Sequence, residues 1–155
     1  MIDPIREAVT TFASRGAEKL RAQGMRAGVL NVSITTSRFR PPVTCPVGRK
    51  TFEAPTSYTP TLVKAALSVL DEIFVPGEWY VKAGIALSEF SDEGRRQLFL
   101  PGASTAPEED ERRARCMEAV DRINRILGQD AIRPAAMPPR GGESGWAPRR
   151  DYGAH

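Results

Sequence analysis

Residues 28–39 read GVLNVSITTSRF. Taken alternately, Leu30, Val32 and Ile34 fall on one face, and Asn31, Ser33, Thr35 and Ser37 on the other. Only Val29 breaks the pattern. A period of two with one apolar side predicts a strand that rests on a core and leaves a polar face in water. Whatever covers the apolar side must come from the flanking sequence, and both flanks carry helical periodicity.

Upstream, Asp3-Pro4 is a helix-start signal, with Asp as N-cap and Pro at the first helical position. Ile5, Val9, Phe12, Gly16 and Leu20 recur at helical spacing, widened by Ala8, Ala13 and Ala17, and Gly24 supplies a C-terminal cap. The first helix is therefore expected over residues 4–23. Downstream, Pro41-Pro42 ends the strand, and residues 49–54 read as a short second strand. In it Phe52 points inward and Arg49 and Thr51 outward, which places Lys50 on the inward side. Thr59-Pro60 repeats the start signal, and Leu62, Val63, Ala66, Leu67, Leu70, Ile73 and Phe74 predict a second helix over residues 60–74. After the Pro76-Gly77 turn, residues 79–90 predict a third strand. Trp79, Val81, Ala83, Ile85 and Leu87 are expected inward, and Tyr80, Lys82, Gly84, Ala86 and Ser88 outward.

The remainder changes character. Residues 95–102 form a short apolar peptide in a charged, flexible setting. Residues 107–127 predict a third helix, acidic at its start as the helix dipole favours, with Cys116, Met117, Val120, Ile123, Asn124 and Leu127 on one face. A short extended segment is expected over residues 131–137. From Pro138 onward, Pro, Gly and Arg dominate and disorder is expected. The fold class is thus α+β: a small antiparallel or mixed three-stranded sheet backed by two helices, then a C-terminal helix and a loose tail.

At 155 residues one domain with an appendage is expected. The net charge of +3 permits a polyanion partner without demanding one. Lysine is confined to Lys19, Lys50, Lys64 and Lys82, so the positive charge is mostly arginine, whose planar fork suits phosphate and carboxylate. Cys45 and Cys116 lie far apart, and no secretory apolar run precedes them. A reduced, cytoplasmic pair is expected, Cys45 in a loop and Cys116 buried in its helix. No stretch approaches the roughly 20 apolar residues of a membrane span. His155 is the only histidine, and no glycine-rich loop joins a strand to a helix, so histidine-assisted nucleophilic catalysis and phosphate-loop chemistry are not expected. No cofactor or metal is expected, the Glu108–Glu111 run being a helix start with a solvated face.

Four segments together resemble the C-terminal part of the UmuC family: TTFASRGAEKLRAQG, TTSRFRP, PGEWYVKAGIALSEFSDEGRRQLFL and MEAVDRINRILGQDAIRPAAM, which begin at Thr10, Thr35, Pro76 and Met117. UmuC is the catalytic subunit of a bacterial SOS-induced, lesion-bypassing Y-family DNA polymerase. The resemblance implies a little-finger DNA-binding domain over residues 1–93, without the strand that precedes the first helix in the family. A linker follows over residues 94–106, then the UmuC C-terminal helical module over 107–137 and a tail over 138–155. It implies a sheet face lying along duplex DNA, with Thr35, Ser37, Arg38, Arg49, Thr51 and Lys82 on the DNA side. Gln97, Leu98, Phe99 and Leu100 resemble a sliding-clamp binding peptide whose closing Phe is here Pro101. The palm and its metal carboxylates have no counterpart, so no nucleotide transfer is expected. The implied partners are duplex DNA, the sliding clamp and a UmuD-like accessory subunit.

Blander readings stand beside these. A polar sheet face is commonly just solvated. Leu98 and Phe99 read equally as a tether tucked under the second helix. Trp79 and Tyr80 read as core and edge packing rather than as base-stacking groups. A protein-interaction module and a decayed polymerase fragment are the rival functions.

Overall fold

The computed structural model describes residues 2–92 and 107–138. Its elements are α1 (Asp3–Ala22), β1 (Met25–Thr36), β2 (Val47–Thr56), α2 (Thr59–Ile73), β3 (Tyr80–Asp92) and α3 (Pro107–Leu127). The sheet is three-stranded in the order β2-β1-β3, with β1 antiparallel to both neighbours. The two outer strands therefore run the same way. Parallel strands cannot be joined by a tight turn, and α2 is the crossover that carries the chain back.

The alternation in β1 sorts its side chains as the sequence predicts. Leu30, Val32 and Ile34 are fully buried and join one core with Ile5, Val9, Ala13, Ala17 and Leu20 of α1 and Leu62, Ala66, Val69 and Leu70 of α2. Ala83, Ile85 and Leu87 of β3 and Phe52 of β2 pack against the same core. Burying each large aliphatic chain contributes about 1.5–3 kcal/mol, so this layer is the main source of stability. The helices come very close to the sheet at two glycines. A Cβ on Gly16 would lie 2.9 Å from Leu87 Cδ1, and one on Gly48 would lie 2.4 Å from Val69 Cγ1. Lys50 does lie opposite Leu30 on the core side, yet it is exposed. Its place on an edge strand lets the long stem carry the ammonium past the rim into water.

Several expectations are corrected. Asp3 is not the N-cap: Ile2 holds that position, and Asp3 lies inside the first turn. Thr59 likewise lies inside α2, with Tyr58 as N-cap. The Thr59 hydroxyl is engaged elsewhere, accepting a hydrogen bond from Arg21 Nη1 at 2.7 Å. The second strand runs over ten residues, Val47–Thr56, rather than over 49–54. The pairing of β1 with β3 shifts between Thr35, opposite Lys82, and Thr36, opposite Tyr80, so the alternation in β3 changes parity at Val81. Tyr80 packs inward against the core, while Trp79 and Val81 are 58% and 54% exposed. Residues 131–137 form bends and turns, not an extended segment.

α3 is tied by its side chains to α1 and to the start of β1. Three arginines hold it: Arg21 on Asp121, Arg15 on Asp130 just beyond the helix, and Arg26 on Asp110. Arg113 of α3 stacks on the Tyr58 ring at 5.0 Å. Met117 and Met137 are buried, but Cys116 and Leu127 are exposed, against the expectation that both lie on the inward face. A helix docked largely by ion pairs needs only a narrow apolar stripe. Cys45 is exposed as expected of a loop thiol.

Candidate nucleic-acid interface

The sheet face away from α1 and α2 is built by register. Asn31 lies opposite Arg49 and Ala86, Ser33 opposite Val47 and Gly84, and Thr35 opposite Lys82. Val29 lies between Thr51 and Ser88. Four of the expected residues, Thr35, Arg49, Thr51 and Lys82, are thus gathered on one face. The middle of the face is lined by Ser33, Gly84 and Ala86, whose short side chains admit a close-approaching backbone. Cations stand toward the edges, with Arg49 on β2 and Lys82 on β3, both exposed.

Three features of the face were not legible in the sequence. Arg49 forms an ion pair with Glu89, Nη2 to Oε1 at 3.4 Å, joining the two edge strands across β1. Glu89 can do this because its φ is +54°, and Gly28 beside it makes room: a Cβ there would meet the Glu89 carbonyl oxygen at 3.1 Å. Val29, apolar on a polar face, is fully buried yet lies outside the core cluster formed with the helices. The Thr35 hydroxyl donates to Cys45 Sγ at 3.3 Å, which ties the face to the loop between β1 and β2.

Ser37 and Arg38 lie beyond the end of β1. Ser37 organises its loop: its N–H donates to the Trp79 carbonyl at 2.9 Å, and its hydroxyl accepts from the Phe39 N–H at 3.3 Å. Arg38 stacks on Phe39, its guanidinium carbon 5.4 Å from the ring centroid. Residues 97–100 lie outside the described residues.

A competing concavity of about 780 Å³ opens between α1 and α3. Arg21, Arg26, Arg113, Arg115 and Arg125 line it together with the acids Glu18, Asp110, Glu118 and Asp121, and Arg21 and Arg26 each pair with an aspartate of α3. Among the described residues no group of three or more His, Cys, Asp or Glu side chains is placed to hold a metal ion. Among them, too, no helix is long and apolar enough to cross a membrane.

A two-helix layer behind a three-stranded sheet is the frame on which the similarity to known proteins falls. Residues 2–100 match the impB/mucB/samB family C-terminal domain. The chain belongs to this family. It is 30% identical over 151 residues to Protein UmuC of Salmonella typhimurium, which covers 96% of this chain and 34% of that protein. It is 34% identical over 126 residues to Protein SamB of the same organism, covering 79% of this chain and 28% of that protein. The corresponding figures for Protein MucB are 33% over 124 residues, 78% and 28%. The chain thus spans about a third of the length of the curated relatives it matches. The family domain ends before α3, whereas the similarity to UmuC runs over nearly the whole chain, α3 included.

Proposed function

We propose that this chain acts without catalysis of its own, as the duplex-gripping C-terminal part of a UmuC-like translesion polymerase in the response to DNA damage. The observation that carries the reading is the division of the sheet into two sides. Both helices of the matched domain cover one side, and among the described residues no helix covers the other, which is mostly polar and edged by Arg49 and Lys82. Ser33, Gly84 and Ala86 allow a phosphate backbone to approach, and Asn31, Ser33, Thr35 and Thr51 offer hydrogen-bonding groups to it. Such contacts position a protein on DNA and carry no sequence code. Kinship with UmuC, SamB and MucB supports the polymerase context.

The test is duplex binding as a function of salt. Each neutralised phosphate contributes about −0.9 to the slope of log K against log salt. Affinity should fall steeply as salt rises, with little preference among duplex sequences. Affinity indifferent to salt, or none at low salt, refutes the proposal.

A second contact is proposed for Gln97, Leu98, Phe99 and Leu100, which resemble a sliding-clamp peptide. The chain enters this segment from β3 and leaves it into α3, both held to the same core body. A short segment between two such anchors suits capture in an apolar pocket, with the glutamine fixing its register. A UmuD-like accessory subunit remains a third proposed partner on the strength of the family alone.

A further inference from the structure

At one end of the sheet the chain exposes an unusual amount of aromatic surface. β1 ends there, and β2 and β3 begin there, so the loops at 37–46 and 74–79 are neighbours. Phe39 is 82% exposed and Trp79 is 58% exposed. Each ring carries an arginine on one side: Arg38 over Phe39 at 5.4 Å, and Arg40 over Trp79 at 4.5 Å. The rings are not on floppy loops. The Ser37 N–H to Trp79 carbonyl bond fixes one loop to the other, and the Arg40 N–H bonds the Ser37 carbonyl at 3.1 Å. Thr36 and Thr44 close the base of the β1–β2 loop through three further bonds. Across residues 37–46 and 75–82 the charged side chains are Arg38, Arg40 and Lys82, against the single acid Glu78.

Exposed aromatic surface costs free energy in water unless something covers it, and a net positive setting selects an anion. The occupant that matches both features is a single-stranded nucleic acid. Its bases present π-faces to the free sides of Phe39 and Trp79, and its phosphates meet Arg38, Arg40 and Lys82. Duplex DNA does not match, because its base faces are already stacked on one another. We propose that Phe39, Trp79, Arg38 and Arg40 form a stacking site for one or two unpaired bases of a DNA strand. The site goes beyond the backbone grip assigned to the sheet face and does not need it. Where both are present, a strand leaving a duplex held on the face would meet the rings at its end.

The experiment uses the full chain with Trp146→Phe, which leaves Trp79 as the one tryptophan. Three probes are compared: oligothymidylate, an abasic oligonucleotide of equal length and charge, and blunt duplex. Oligothymidylate should quench Trp79 fluorescence saturably, and the abasic strand should not. Phe39→Ala and Trp79→Ala, followed by anisotropy of a labelled oligothymidylate, should each weaken binding by about fivefold to a hundredfold. Both should leave blunt-duplex affinity unchanged. Phe39 is so exposed that its loss cannot unfold the chain, so a null result there is informative. Equal quenching by the abasic strand, or unchanged oligothymidylate affinity in both variants, overturns the site. So does a response to anionic vesicles with none to oligothymidylate. Failure of duplex binding alone would sink the backbone grip and leave this site standing.

Discussion

Arg21 holds Asp121 with two guanidinium nitrogens, Nε at 2.7 Å and Nη2 at 2.8 Å, and so fixes α3 against α1. The same arginine donates through Nη1 to the Ser57 carbonyl at 2.8 Å and to the Thr59 hydroxyl at 2.7 Å. One side chain thus joins α1, the start of α2 and α3. The pair is largely shielded, with side-chain exposures of 12% and 22%.

Removing the aspartate alone should loosen α3 without disturbing the sheet. In Asp121→Asn the paired charge is lost while Arg21 keeps its contacts to Ser57 and Thr59. A charge-assisted hydrogen bond contributes about 1.5–3 kcal/mol. Hydrogen exchange should therefore speed up along α3 and stay slow in β1. Equal acceleration in both elements would show that α3 is inseparable from the core.

Gly48 should tolerate no side chain. In Gly48→Ala the new methyl would lie 2.4 Å from Val69 Cγ1 and 2.9 Å from Ile73 Cγ2, and one of these must move. Overpacking of this kind costs about 1–3 kcal/mol, readable as a lower urea midpoint with an unchanged m-value. Val69→Ala in the same chain should recover part of the loss. No recovery would place the strain in the backbone of β2 instead.

Glu89 should restrain DNA binding, because it pairs with Arg49 on the proposed contact face. Glu89→Gln removes the negative charge and frees the guanidinium. Duplex affinity at low salt should rise, and the salt slope should steepen by up to about 0.9 as one more phosphate is met. Arg49→Gln should do the opposite. An affinity unmoved by either change would take this part of the sheet out of the interface.

For the clamp peptide, the double change Gln97→Ala with Leu98→Ala should abolish capture on an immobilised sliding clamp. Capture at the original level would assign the segment to tethering alone. Duplex binding should be the same before and after, which separates the two contacts.

The sheet was legible because β1 alternates so strictly: Leu30, Val32 and Ile34 could face only a core. The two helices were legible from their stripes, although Val69 was passed over and proves to be fully covered above Gly48. What could not be read was any place where the period breaks. The register shift beside Thr36 reverses the sides taken by Trp79, Tyr80 and Val81, and nothing local in the sequence announces it. The Arg49–Glu89 pair spans 40 positions and depends on a left-handed residue at Glu89. Cys116 and Leu127 were misplaced for another reason. Apolar spacing on α3 suggested a broad buried face, whereas Arg15, Arg21 and Arg26 carry the docking through charge.

The strand order has one more consequence. β1 is the only strand with a neighbour along both rims among the described residues, and its peptide groups bond to β2 on one flank and β3 on the other. Between Val29 and Ser33, where both ladders are regular, its amides can meet solvent only when a flanking strand lets go, and fraying at the ends of the outer strands does not reach them. The deuterium clock of this one segment therefore reports the survival of the whole domain, and the outer strands run faster clocks of their own.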